Sequence, residues 1–122
     1  MIQNLSLCGL AARLDAREVS AREVMQSCLD RIGAIDGKVN AFISLDRDDA
    51  LAQADAADIA FAKGESRESR PLLGVPVSLK DIFCVRDQPL NCASKILGDF
   101  RSPYDATVVQ KLRDAGAVVF GR

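Results

Sequence analysis

The sequence holds no histidine, which removes the commonest general base near neutral pH and the commonest metal ligand. Its cysteines, Cys8, Cys28, Cys84 and Cys92, are scattered without a C-x-x-C pair, so neither a zinc site nor a disulfide framework is spelled out, and reduced thiols in a cytosol are expected. Cys84 or Cys92 as a nucleophile would want the histidine that is missing. Charge of one sign is also lacking: 16 Lys and Arg stand against 17 Asp and Glu, a net charge of -1, and the basic residues form no stripe with aromatics between them. Such a chain has no field to draw it onto a nucleic acid by itself. No apolar run approaches the ~18 residues that cross a bilayer, and the start, MIQNLSLCGL, lacks the basic beginning and long apolar segment of an export signal. A cytoplasmic protein without a membrane role is the expectation. With 4 Pro and 8 Gly there is no disordered or low-complexity stretch either.

What is present is enough for one core: 122 residues, 48% hydrophobic and 27% charged. Leu7, Leu10, Ala11 and Leu14 recur at helical spacing behind Ser6 as cap, predicting a short helix that ends near Ala16. Ser20-Ala21-Arg22-Glu23 has the form of a capping box, and Val24, Met25, Cys28, Leu29 and Ile32 draw an apolar stripe behind it, before Gly33 and Gly37 loosen the chain. The run from Asn40 to Leu45 reads as a strand. The alanine-rich segment from Arg47 to Lys63 suits a helix, with Ala50, Ala54, Ala57 and Phe61 on one face.

Residues 64–70 are polar and mixed in charge, and read as a surface linker between a mainly helical front, residues 1–63, and the remaining residues, 71–122. Val75 to Lys80 reads as a strand, Asp81 to Pro103 as a loop-rich stretch, and Asp105 as the cap of a helix carrying Val108, Val109, Leu112 and Ala115 inward, stopped by Gly116. Ala117 to Phe120 gives another apolar run of strand length. Strand, crossover helix, strand is the grammar of a parallel buried sheet, and a strand apolar on both faces wants a further neighbour after Phe120, as in the front end of a larger α/β protein.

Lys80 stands at the end of the first of these strands. In extended chain, Val75, Val77 and Leu79 share one face while Pro76, Ser78 and Lys80 share the other, and Asp81 points away from the lysine. A nearby carboxylate would hold the amine protonated, so the alternation leaves it free to be tuned. An ordinary lysine has a pKa of about 10.4 and must lose roughly 2 to 3 units, by burial or a neighbouring positive charge, to act as a base near neutrality. Spacing alone fits a snorkelling surface lysine better.

The string Pro71-Leu72-Leu73-Gly74-Val75-Pro76-Val77-Ser78-Leu79-Lys80-Asp81 resembles the P-L-x-G-x-P-x-x-x-K-D segment that opens the catalytic region of the amidase signature family of serine amidohydrolases. The likeness runs through Glu18-Val19-Ser20, Arg31-Ile32, Asn40-Ala41-Phe42, Cys92-Ala93-Ser94-Lys95, and Tyr104 to Val109 on to Ala115-Gly116-Ala117-Val118. The segments at Cys92 to Lys95 and Pro103 to Val109 look most like the A subunits of the glutamyl-tRNA(Gln)/aspartyl-tRNA(Asn) amidotransferases. The fold this implies is α/β: N-terminal helices, then the first strands of a mixed, largely parallel sheet, incomplete at the C-terminus. Residues 1–122 would be the N-terminal part of a single amidase domain.

The resemblance makes Lys80 the general base of a serine–serine–lysine triad, which needs no histidine. One serine attacks the amide carbonyl and a second, at a cis peptide bond, relays the proton to the lysine. Both serines and the G-S-S-G-G-S stretch whose amides stabilise the oxyanion lie beyond the position matching Arg122. Ser78, Ser94 and Ser102 do not sit in a glycine-rich turn and are no substitute. Arg122 itself stands where the family commonly has a lysine followed by T-N-x-x-E. By resemblance, this chain would carry no cofactor. Glutamine would be its substrate, amidotransferase B and C subunits its partners, ATP and Mg would be used on the partner subunit, and aminoacyl-tRNA would be reached through the complex. The chain alone would be inactive. A stand-alone amidase for other small amides, or a non-catalytic module binding through an apolar strand edge, remain alternatives. Lys95 and Asp105 are further candidates for the site wall, with a solvated loop and a helix cap as their plainer roles.

Overall fold

Helix starts here are set by short polar side chains that take up the free N–H groups of a first turn. In the computed structural model, which describes residues 2–122, a 3-10 turn at Ile2–Asn4 leads into α1 (Leu7–Asp15), whose Ser6 cap accepts from Gly9 N at 3.1 Å. α2 (Ala21–Val39) opens on the full capping box: Glu23 N donates to Ser20 Oγ at 3.1 Å and Ser20 N to Glu23 Oε2 at 2.8 Å. Asp58 of α3 (Arg47–Ala62) accepts from Ala21 N at 2.7 Å and Arg22 N at 3.0 Å, so the dipole of α2 is met by a carboxylate from its neighbour. Arg17 closes the far end of α3 by donating to Phe61 O while its guanidinium lies 4.0 Å from the centre of the Phe61 ring.

The hydrogen bonds from Ser20 hold the Glu23 carboxyl below its ordinary value of 4.5. A carboxyl lowered in the folded state contributes stability that is complete above the unfolded value and is lost as the pH falls through the folded one. The gap in urea midpoint between the wild type and Glu23→Gln is therefore expected to be open at neutral pH and to close in acid. A gap that stays constant across that range would contradict this account.

The alanine face of α3 lets α2 approach closely. Ala50, Ala54, Ala57 and Phe61 are buried with Val24, Met25, Leu29 and Leu14 in one cluster that also takes in Leu73, Val75 and Val118. Contrary to the expectation that Gly33 and Gly37 loosen the chain, α2 runs through both to Val39 and ends on a left-handed Asn40 at φ 53°. The buried stripe outweighs a propensity cost of about 1 kcal/mol per glycine.

Two strands come next, β1 (Pro76–Val77) and β2 (Val118–Val119), parallel and in register Pro76↔Val118 and Val77↔Val119, with α4 (Thr107–Asp114) as the crossover. The first strand is shorter than the expected span from Val75 to Lys80. Past Phe120 N→Val77 O the pairing is displaced, and Leu79 N donates to Gly121 O, because Gly121 takes a left-handed turn at φ 62° beneath the Phe42 ring. The free edge of β2 is occupied by one side chain: Gln53 Nε2 donates to Val119 O at 2.9 Å and Val119 N to Gln53 Oε1 at 3.0 Å. The open edge needed by an interaction module is thus closed at Val119.

The stretch from Asn40 to Leu45 is not a strand. Its start is tied back to α2, Asn40 N donating to Asp36 O and Ala41 N to Asp36 Oδ1, and its later backbone pairs with Arg122, through Ile43 N and Ser44 N to Arg122 O and Arg122 N to Ser44 O. Residues 64–70 form turns, and the Arg70 side chain closes α4 by donating to Asp114 O at 3.3 Å and Arg113 O at 3.1 Å. The cap of α4 is Ala106, not Asp105, and the helix buries Val109 while leaving Val108 exposed. Asp105 instead accepts from Arg86 N at 2.7 Å and pairs with Arg113 at 3.3 Å, fastening the loop-rich stretch to the helix.

Candidate functional site

The segments leaving β1 and β2, the turn after α2 and the loop at Cys92 meet around an open hollow of about 600 Å³. Ser78, Leu79, Lys80, Asp81 and Ile82 form one wall, Ala41, Phe42 and Ile43 another, and Cys92, Ala93 and Arg122 close it. A second hollow of about 590 Å³ lies by the start of α3, among Asp46, Asp48, Asp49, Asp87 and Gln88. It contains no lysine and none of the candidate residues, so the chemistry points to the first.

Lys80 is exposed, and its ammonium makes no ion pair or hydrogen bond among the described residues. The burial expected at the strand's end is not supplied by these residues, and the strand whose alternation would turn Asp81 away ends at Val77; Asp81 is instead paired with Arg122. The Asp81 carboxylate is buried, 3.6 Å from Arg122 Nη1, and its Oδ2 accepts from Cys92 N at 3.1 Å and Asn91 N at 3.4 Å. Main-chain bonds flank the lysine: Leu79 N→Gly121 O and Phe83 N→Lys80 O, both 3.2 Å.

Cys92 and Ala93 are left-handed at φ 52° and 57°, a conformation that costs about 1–3 kcal/mol per residue and is held here by the bonds to Asp81 and by Ala93 N→Asn91 Oδ1 at 2.9 Å. Successive N–H groups in such a turn make a concavity for an anion, and the anion in this one is Asp81.

Of the candidate residues, Lys80, Ser78 and Cys92 share the hollow, whereas Ser94, Lys95, Ser102 and Asp105 do not line it. Ser102 is buried and donates to Tyr104 O at 2.6 Å. Cys84 sits against the Tyr104 hydroxyl and pushes its pKa up. The four cysteines are free, and burial raises the pKa of the Cys28 thiol. The residue that sequence reasoning undervalues is Arg122, which reads there only as a positive charge in the place of a lysine. A charge closing an apolar run, Ala117 to Phe120, is the available signal.

The family model described as Amidase matches residues 23–122. The A subunit of the glutamyl-tRNA(Gln) amidotransferase of Acidothermus cellulolyticus is 54% identical over 113 residues, covering 93% of this chain and 22% of that protein. The protein of the same name from Desulfotalea psychrophila is 48% identical over 118 residues, covering 97% and 24%. Among solved structures, native peptide amidase from Stenotrophomonas maltophilia superposes with a TM-score of 0.87 at 35% identity, over 98% of this chain and 24% of that one. A fatty acid amide hydrolase does so at 0.87 and 30%, over 99% and 21%. The chain therefore spans about a quarter of the length of the curated relatives it matches.

Proposed function

The chain belongs to the amidase family, and from that membership we propose that it is the N-terminal part of the glutaminase subunit of a tRNA-dependent amidotransferase, with Lys80 as its general base. One observation carries the assignment of Lys80: an unpaired ammonium on the hollow beside a carboxylate already committed to Arg122. The identity of 54% to an amidotransferase component, against 30–35% to the two amide hydrolases, favours this branch over a stand-alone amidase.

In this reading the remainder of the amidase fold brings the two serines and the oxyanion donors over the hollow. The nucleophilic serine Oγ bonds to the side-chain carbonyl carbon of glutamine, and its proton passes through the second serine to Lys80 Nζ. Return of that proton to the amide nitrogen breaks the C–N bond and releases ammonia. Water then attacks the acyl ester and, by the same relay, yields glutamate. The ammonia serves partner B and C subunits, where Glu-tRNA(Gln) or Asp-tRNA(Asn) is amidated; ATP and Mg²⁺ belong to that step and hold no role on this chain.

The test replaces the matching segment of the Acidothermus cellulolyticus subunit with this chain and assays ammonia release from glutamine. The chimeric subunit is expected to hydrolyse glutamine and the chain alone to release no ammonia, since a base without a nucleophile forms no acyl-enzyme. Turnover by the chain alone, or preference of the chimera for another amide, would refute the reading.

A further inference from the structure

Arg122 is an arginine placed where an apolar strand ends, with a side chain 2% exposed. Its Nη1 donates to Phe83 O at 3.0 Å and its Nη2 to Gln88 Oε1 at 3.4 Å, while its backbone binds Ser44 and Ile43. Through Asp81 it reaches the turn at Asn91 and Cys92. One ion pair thus joins the lysine's loop and the turn at Cys92 to Arg122, whose backbone holds the remaining wall at Ile43. A buried pair of this kind adds little net stability over apolar replacements, and the Nε of Arg122 is buried without a hydrogen-bond partner, so stability does not account for it. We propose that Asp81 and Arg122 are positioning residues for Lys80: Arg122 holds the Asp81 carboxylate away from the lysine, and Asp81 anchors the left-handed turn at Cys92 against the lysine's own loop. The assignment deepens the reading of Lys80 as general base and rests on it.

The charged and titratable groups on the hollow are Lys80, Asp81, Cys92 and Arg122. Removing Arg122 leaves Asp81 unpaired beside Lys80, and a carboxylate that turns to the ammonium favours its protonated form. A merely structural arginine has no such consequence for the pH profile.

In the chimeric subunit, Arg122→Met is expected to lower kcat roughly 10- to 100-fold with KM for glutamine little changed, since misplacing a catalytic group by about 1 Å costs that much. Its pH–rate profile should move to higher pH, Arg122→Lys should recover most of the rate, and Asp81→Asn added to Arg122→Met should move the profile back. In the chain itself, Asp81→Asn should speed hydrogen exchange at the Asn91 and Cys92 amides at least about tenfold as the turn loses its acceptor, which tests the anchor if Arg122→Met does not fold. Unchanged kcat and profile in Arg122→Met, or unchanged amide exchange in Asp81→Asn, would overturn the positioning role while Lys80→Met remained inactive. Activity that survives Lys80→Met would instead overturn the base assignment.

Discussion

Lys80→Met in the chimeric subunit is expected to lower glutamine hydrolysis by roughly 10²–10⁴-fold, the span that a positioned general base contributes. Methionine keeps the length and apolar stem of the side chain and removes only the amine, so packing along the hollow changes little. KM should stay within about threefold, because a base acts on the transition state and not on the bound amide. The same change should leave the urea midpoint of the chain untouched, since the Lys80 side chain is exposed and its ammonium makes no hydrogen bond or ion pair among the described residues. A large loss of rate with no loss of stability separates a catalytic amine from a surface lysine. A rate within threefold of the parent would remove Lys80 from the mechanism.

The exposure of Lys80 gives that experiment its setting. The hollow beside it has apolar walls, Ile43 and Ile82, that are 68% and 53% exposed. Cover over those walls would desolvate the amine, and in the proposed reading the remainder of the amidase fold supplies both the cover and the serines. The two needs are met by one event, which is why activity is assayed in the chimeric subunit rather than in the chain alone.

What is legible in the sequence is local. Ser6, the capping box at Ser20 and the stop at Gly116 each act within a few residues of themselves, so the pattern and the structure agree. Asn40 to Leu45 has the composition of a strand without being one, because a short apolar run with β-branched and aromatic residues reports no partner, and the backbone it meets is that of Asp36 at its start and Arg122 further on. Asp105 has the composition of a cap but is drawn off by Arg86 and Arg113, partners that no local pattern announces. The site divides in the same way. Lys80 and Asp81 lie past the end of β1 at Val77, so period-2 alternation does not place them, and the arginine that pairs with Asp81 lies after a different strand, which only the parallel pairing of β1 with β2 brings near.

That pairing depends on Gly116, and Gly116→Ala is expected to be the most destabilising small substitution in the chain. The residue follows α4 at φ 90°, where Gly116 N bonds to Arg113 O and Ala117 N to Leu112 O, a Schellman closure that wants glycine. A Cβ there would lie 2.7 Å from the Leu73 Cα and 3.0 Å from its nitrogen, and backbone cannot swing aside as a side chain does. Left-handed strain of about 1–3 kcal/mol and overpacking of a similar size together give a loss of roughly 2–6 kcal/mol, a large part of a typical domain's stability of about 5–15 kcal/mol. Gly33→Ala and Gly37→Ala are the controls: both lie inside α2 with nothing within 4 Å of the added carbon, and each should gain about 0.5–1 kcal/mol. Urea midpoints decide the matter, and a Gly116→Ala midpoint equal to the parent's would refute the close approach to Leu73. Because Leu72 N and Gly74 N bond to Ala115 O and Gly116 O, the substitution pries β2 from the segment leading to β1. In the chimeric subunit it should then lower activity together with stability, whereas Lys80→Met lowers activity alone.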